Sequence, residues 1–157
     1  MITITDQMVE DTANKLLAEF SEQAIVDAAE AGTWPAKLWD EVTEAGLTTA
    51  LDEGLAGLPQ ALAIAKASGT HPAPVPLVET MLARGLAHAA GQALPEGPCT
   101  IAPPRTSCVK LTKEGAGFRL RGSLGAVPFG RWCQLVAVSC DGQLAIVPAE
   151  GDRKSVV

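Results

Sequence analysis

Apolar positions recur at helical spacing in the first part of the chain. After Asp6 they fall roughly on one face, as in an amphipathic helix; these positions are Met8, Val9, Leu16, Leu17 and Phe20. Four further stretches have the same character and end at glycines, which are common just past helix C-termini; the glycines are Gly32, Gly46, Gly69 and Gly91. The pattern therefore predicts five helices before about residue 93.

After Pro95 the pattern changes to short apolar runs separated by Gly, Pro and Asp-Gly. Residues 118–121 alternate apolar and basic side chains, as a half-buried strand does. Asp141-Gly142 between two apolar runs is a strong hairpin signal. The predicted fold class is α+β, with an N-terminal helical bundle over residues 1–94 and a small antiparallel β domain over residues 95–157.

The charge distribution follows the same division. Residues 1–100 have a net charge of -10 and residues 101–157 a net charge of +4, which gives -6 for the whole chain. Apolar residues make up 47% of the chain and charged residues 19%, a composition typical of a globular protein. The acidic balance and the absence of Tyr argue against nucleic acid as a partner, because phosphates need cations and bases need stacking platforms.

Targeting and membrane signals are not apparent. The N-terminus has no basic n-region and no long apolar h-region, and no stretch reaches the roughly 18 apolar residues of a spanning helix. The four cysteines form no C-x-x-C pair and have no histidine near them, which disfavours a zinc site. We expect a cytoplasmic protein with reduced structural thiols, no metal and no membrane contact.

Catalytic signatures are also missing. The chain has no G-x-S-x-G, P-loop or G-x-G-x-x-G motif. His71 and His88 are the only histidines, and an isolated histidine is usually a surface or core residue. The acidic pairs, among them Asp52-Glu53, are interpreted as solvated charge, and Trp39 as a core residue. Residue patterns alone thus predict an α-then-β protein with no visible active site.

Several phrases, in order, resemble the acyl-CoA dehydrogenase family. Residues 39–47 read W-D-E-V-T-E-A-G-L, similar to the end of a helix in that family's N-terminal domain. Residues 61–82, with A-P-V-P-L-V-E-T, resemble the linked helices that follow. Residues 117–122, 127–130 and 135–138 resemble strands and loops of the family's middle β domain. Each phrase is short, and the specificity of the resemblance comes from their order.

The resemblance implies a function. Members of the family are flavoprotein oxidoreductases that use FAD to remove two hydrogens from the α and β carbons of acyl-CoA thioesters in lipid metabolism. A glutamate that is usually in a C-terminal helical domain takes the α proton. This chain ends in or just after the stretch that resembles the middle domain, so we expect either a fragment or a non-catalytic subunit. Heteromeric bacterial acyl-CoA dehydrogenases of sterol and lipid catabolism contain such degenerate subunits.

The resemblance also assigns positions to the flavin. The family's C-L-T-E-P-x-A-G-S-D corresponds to residues 99–108, where Ile101 stands for the flavin-binding Thr and Ala102 for the Glu. The family's W-I-T or W-I-S corresponds to residues 126–128, so that Val127 and Pro128 would face the flavin. Ser107 matches a position that contacts the CoA moiety of the substrate. Because proline has no amide donor and Ile101 no hydroxyl, we expect that the chain alone neither holds FAD nor oxidises acyl-CoA.

Two functions follow as hypotheses. The first is an acyl-CoA dehydrogenase-like chain that works in a homo- or hetero-oligomer with an acyl-CoA dehydrogenase subunit, with acyl-CoA as a possible ligand. The alternative is a helical protein-interaction module with no acyl-CoA chemistry.

Overall fold

The fold is α+β, with the helices first and the strands after them. The computed structural model describes residues 4–102, 108–115, 117–140 and 142–149. The five helices are α1 (Ile4–Glu19), α2 (Gln23–Glu30), α3 (Ala36–Glu44), α4 (Leu58–Thr70) and α5 (Leu77–Ala89). Two 3-10 turns, Leu47–Thr49 and Gly54–Gly57, lie between α3 and α4. The number of helices predicted from apolar periodicity is confirmed.

The helices share one apolar core. Four of them contribute buried residues to it: Leu17 from α1, Leu38 and Val42 from α3, Ile64 from α4 and Met81 from α5. α2 packs against this core through the partly buried Ile25, and Met8 of the predicted α1 stripe is 65% exposed. Gly46 ends α3 in the left-handed conformation with φ 71°, which a glycine adopts without steric cost. Pro59 lies in the first turn of α4, where its missing N–H is not needed.

Five strands follow the helices and form two small sheets. They are β1 (Cys99–Ile101), β2 (Cys108–Glu114), β3 (Gly117–Ser123), β4 (Leu135–Cys140) and β5 (Gln143–Pro148). One sheet has the order β1-β4-β5, and β2 pairs with β3 in a separate antiparallel hairpin. The predicted hairpin at residues 141–142 is confirmed by the antiparallel pairing of β4 with β5, although Asp141 itself lies outside the described residues.

The prediction of an antiparallel β domain is wrong for one pair of strands. β1 pairs with β4 in parallel, with Cys99 opposite Leu135 and Ile101 opposite Ala137. The hairpin and the loop before β4 are inserted between these strands, and this long crossover allows the parallel pairing. The β1-β4-β5 sheet is therefore mixed.

The mixed sheet lies between α5 and the β2–β3 hairpin. On one face, Cys99 and Ala137 pack against Ala83 of α5, together with the partly buried Ile101 and Ile146. On the other face, Ala102, Val136 and Val138 pack against hairpin side chains such as Val109 and Leu120. Alternation along β1 thus puts successive residues on opposite faces of the sheet.

A membrane-spanning helix is not found: none of the helices in the described part of the chain combines the length and the apolar character that crossing a bilayer requires.

Candidate functional site

The segment that the resemblance assigns to the flavin lies at the junction of the two parts of the fold. Thr100 of β1 is fully buried, and its hydroxyl donates a hydrogen bond of 2.7 Å to the backbone carbonyl of Pro128. The backbone N–H of Ala102 donates to the Ala137 carbonyl at 2.9 Å and continues the parallel ladder. β1 and the loop at residues 126–128 are therefore brought together, although they are distant in sequence.

Some of the sequence-predicted site residues lie close together in the structure, and others lie apart. Ala102 is buried in the same apolar cluster as the half-buried Val127. Ile101 lies on the opposite face of β1, in the cluster that contains Ala83 of α5. The side chain of Pro128 is exposed, while its carbonyl is bound by Thr100. Ser107 lies outside the described residues.

The chemistry at these four positions is apolar. The side chains of Ile101, Ala102, Val127 and Pro128 contain no hydrogen-bond donor or acceptor, and Pro128 has no backbone N–H. The Thr100 hydroxyl, between Cys99 and Ile101 on β1, donates to the Pro128 carbonyl. The donors that the resemblance implies for the flavin are thus absent from these positions, and the four residues do not fit that group.

The loop before β4 contacts the helical part through aromatic rings. Trp132 packs on Trp34, which precedes α3, with ring centroids 5.4 Å apart, and Trp34 packs on Trp39 at 5.7 Å. Phe129 has a φ of 53°, which is rare for a residue with a Cβ, and its ring lies 6.2 Å from Trp132. Sequence reasoning missed this cluster, because Trp34 lies outside the helix that holds Trp39.

Charged side chains and buried thiols lie around α5. Arg84 binds Asp52 through two parallel hydrogen bonds of 2.5 Å, and this pairing raises the pKa of Arg84. The interpretation of Asp52 as solvated charge was therefore wrong.

Burial raises the pKa of Glu79, and burial together with nearby Cys99 and Glu79 raises the pKa of Cys133 to about 12. With this pKa, the Cys133 thiol is protonated and unreactive at neutral pH.

An open apolar cleft runs between the hairpin and β5. It has a volume of about 460 Å³, and its walls are Leu111, Phe118 and Leu120 of the hairpin and the side chains of β5. Phe118 is 64% exposed at its rim. A second groove of about 530 Å³ lies on the helical part, where Leu55, Leu58 and Leu62 are exposed beside α1.

Within the described ranges, no three His, Cys, Asp or Glu side chains are grouped so that they could hold a metal ion. The comparisons with known proteins are also negative. No protein-family model matches the chain, and neither the curated proteins nor the solved structures contain a significant match.

Proposed function

We propose that the chain is an acyl-CoA dehydrogenase-like subunit that binds a flavin-holding partner and does not itself carry out the oxidation. The order of its sequence phrases and the helices-then-strands architecture support the relationship. The observation that carries the non-catalytic role is the contact between Thr100 and Pro128, since it joins the two segments where a flavin would be held. The side chains at the four assigned positions, Ile101, Ala102, Val127 and Pro128, are all apolar.

The energetic argument concerns the missing donors. A hydrogen bond removed from a buried polar ligand atom costs about 1–3 kcal/mol, and two or three such losses reduce affinity by several orders of magnitude. Ile101, Ala102 and Pro128 stand where the family has Thr, Glu and Thr or Ser, and each would leave such an atom without a partner. Flavin chemistry in a complex would then depend on donors from the partner chain.

Flavin retention tests this proposal. The purified chain is mixed with excess FAD and passed through a desalting column, and the visible spectrum of the protein fraction is recorded. We expect no retained flavin absorbance and no acyl-CoA-dependent bleaching, while an intact acyl-CoA dehydrogenase on the same column stays yellow. A stoichiometric yellow complex would show that the chain is an enzyme in its own right.

The partner is tested separately. The tagged chain is isolated from its native host, and the co-purifying proteins are identified by mass spectrometry. We expect a flavoprotein of the acyl-CoA dehydrogenase family in roughly equal amount. Stoichiometric recovery of a partner unrelated to that family would instead favour the alternative below.

A helical protein-interaction module is the second candidate. The exposed leucines of the helical groove favour it, because Leu55 of the second 3-10 turn is 82% exposed and Leu62 of α4 is 61% exposed in the lining of the same groove. Replacement of Leu62 by Asp distinguishes the two candidates: it would abolish partner binding if the helices alone form the interface.

A further inference from the structure

The β2–β3 hairpin ends in a tip that is open to solvent. Away from the turn, Val109 and Leu120 pack on the mixed sheet, and the Cys140 thiol donates a hydrogen bond of 3.1 Å to the Val109 carbonyl. Toward the turn this support ends, because every described residue from 113 to 119 is exposed. These residues belong to both faces of the hairpin, so its turn end is a convex projection.

An apolar ring lies at this tip. Phe118 stands opposite Lys113, one pair away from the turn, and is 64% exposed. Single apolar side chains are common on protein surfaces, so Phe118 by itself indicates no function. Its position matters, because a side chain at the end of a projecting hairpin can enter another phase while the rest of the fold stays in water.

Cationic side chains surround the ring. Residues 108–123 have a net charge of +3, from four exposed cations and one acidic residue; these are Lys110, Lys113, Arg119, Arg121 and Glu114. Glu114 pairs with Arg119 at 2.8 Å, and within the described part of the chain the other three cations form no ion pair. Lys110 lies directly opposite Arg121, and like charges so placed repel each other until an anion approaches.

The three unpaired cations lie on both faces of the hairpin. The register puts Lys113 with Phe118 on the inner face, whereas Lys110 and Arg121 lie on the outer face. A protein surface would contact one of these faces and leave the cations of the other without a partner. Lipid headgroups surround a tip that enters them, so that they neutralise cations on both faces while the ring reaches the apolar boundary. The distribution therefore favours an anionic membrane surface over an acidic protein.

The acidic helical part does not prevent such a contact. Residues 1–100 have a net charge of -10, but the mixed sheet lies between the hairpin and α5. Packed layers are about 10 Å apart, so the helices lie beyond the Debye length of about 8 Å at physiological ionic strength. The expectation of no membrane contact rested on the lack of a spanning segment, and a contact through the hairpin needs none.

We propose that the hairpin is a peripheral membrane contact for bilayers that contain anionic lipid. Phe118 enters the boundary between headgroups and acyl chains, and Lys110, Lys113 and Arg121 bind the phosphates and carboxylates of the headgroups. The helical part then faces away from the membrane, because the anionic surface repels it. This contact is independent of the flavin-related function, and either can fail without the other.

Vesicle co-sedimentation tests the contact with the full chain. One set of vesicles is phosphatidylcholine alone, and the other contains about 30% phosphatidylserine. We expect at least about tenfold stronger binding to the anionic vesicles, and about 0.5 M NaCl should remove it, because salt screens exposed charges. Equal binding to both sets, or no binding to the anionic set, would overturn the proposal. Binding to poly-glutamate but not to anionic vesicles would also overturn it and assign the hairpin to an acidic protein.

Charge variants locate the electrostatic part of the contact. Lys113→Gln and Arg121→Gln should each weaken binding to anionic vesicles roughly fivefold, since each cation near the surface contributes about that factor. Lys15→Gln removes the same charge from an exposed position on α1 and should change binding less than about twofold. Circular dichroism verifies that each variant is folded. An equal effect of Lys15→Gln would show that the hairpin is not the contact.

The ring is tested by two substitutions of its own. Phe118→Ser should weaken binding at least about fivefold, whereas Leu55→Ser, at an 82% exposed position on the helical part, should leave it unchanged. In Phe118→Trp, the emission of the introduced tryptophan should shift to shorter wavelength with anionic vesicles and be quenched by brominated acyl chains. The parent is the control, because its own tryptophans lie at the junction with the helices. The same spectrum with and without anionic vesicles would overturn the entry of Phe118 into the membrane.

Discussion

The hydroxyl of Thr80 is hydrogen-bonded to both backbone polar groups of Cys99. It donates to the Cys99 carbonyl at 2.9 Å and accepts from the Cys99 N–H at 3.1 Å, and both residues are buried. A side chain of α5 thus takes the place of a neighbouring strand at the free edge of β1. This contact fixes the strand that carries Ile101 and Ala102 to the helical part.

Thr80→Val should destabilise the chain, because valine has the same shape but leaves a buried N–H and a buried C=O without partners. The expected loss is about 2–4 kcal/mol in the free energy of unfolding. Urea unfolding followed by Trp fluorescence measures it. Thr12→Val in α1, where the hydroxyl binds the Met8 carbonyl at an exposed site, is the matched control and should change stability by less than about 0.5 kcal/mol. Equal effects of the two substitutions would contradict the role of Thr80.

The elements could be predicted from local sequence, but several contacts between them could not. Apolar periodicity and the glycines locate five helices, and Asp-Gly signals the β4–β5 turn. The parallel pairing of β1 with β4, however, has no local signal, because it depends on a crossover through the hairpin. The same holds for the contacts of Trp34 with Trp132 and of Arg84 with Asp52.

The candidate site was predictable only in part. Alternation along a strand already requires that Ile101 and Ala102 point to opposite faces, so both cannot contact one flat ligand from the same side. The approach of Pro128 to Thr100 depends on the tertiary course of the loop, which residue types alone do not encode. The assignment of these positions to a flavin site comes from the resemblance alone, and it stays a prediction.

Asp52→Asn should weaken the contact between α5 and the loop that precedes α4. The Arg84 side chain is 15% exposed and that of Asp52 35%, so the pair is partly shielded from water. Loss of a bidentate, charge-assisted contact at such a site should reduce the free energy of unfolding by about 1–3 kcal/mol. Glu10→Gln breaks the pair with Lys66, which is 72% exposed, and should cost less than about 1 kcal/mol. Urea unfolding of both variants checks the contrast, and the reverse order would contradict it.

Glu79 should make the chain less stable as pH rises. Burial raises its pKa above the ordinary value of 4.5, so the native state holds its proton at pH values where the unfolded state has released it. The stabilising contribution is complete below the unfolded pKa and is lost as pH rises through the folded pKa. Glu79→Gln should therefore be more stable than the parent at neutral pH and equal to it in acid. Unfolding from about pH 4 to pH 8 measures this, with the exposed Glu41→Gln as control. A parallel pH profile for parent and Glu79→Gln would refute the assignment.

The four cysteines should differ sharply in reactivity. Cys108 is exposed, whereas Cys99, Cys133 and Cys140 are buried. Burial raises the pKa of Cys133 to about 12 and that of Cys99 above its ordinary value of 9.0, and the Cys140 thiol donates to the Val109 carbonyl at 3.1 Å. Because the thiolate is the reactive form, a disulfide reagent at about pH 8 should modify one thiol per chain quickly and three only on unfolding. Cys108→Ser should remove the fast phase, and Cys140→Ser should leave it unchanged. A second fast thiol in the native chain would contradict this prediction, and its identity by peptide mapping would show whether the mixed sheet or the loop before β4, which holds Cys133, opens under native conditions.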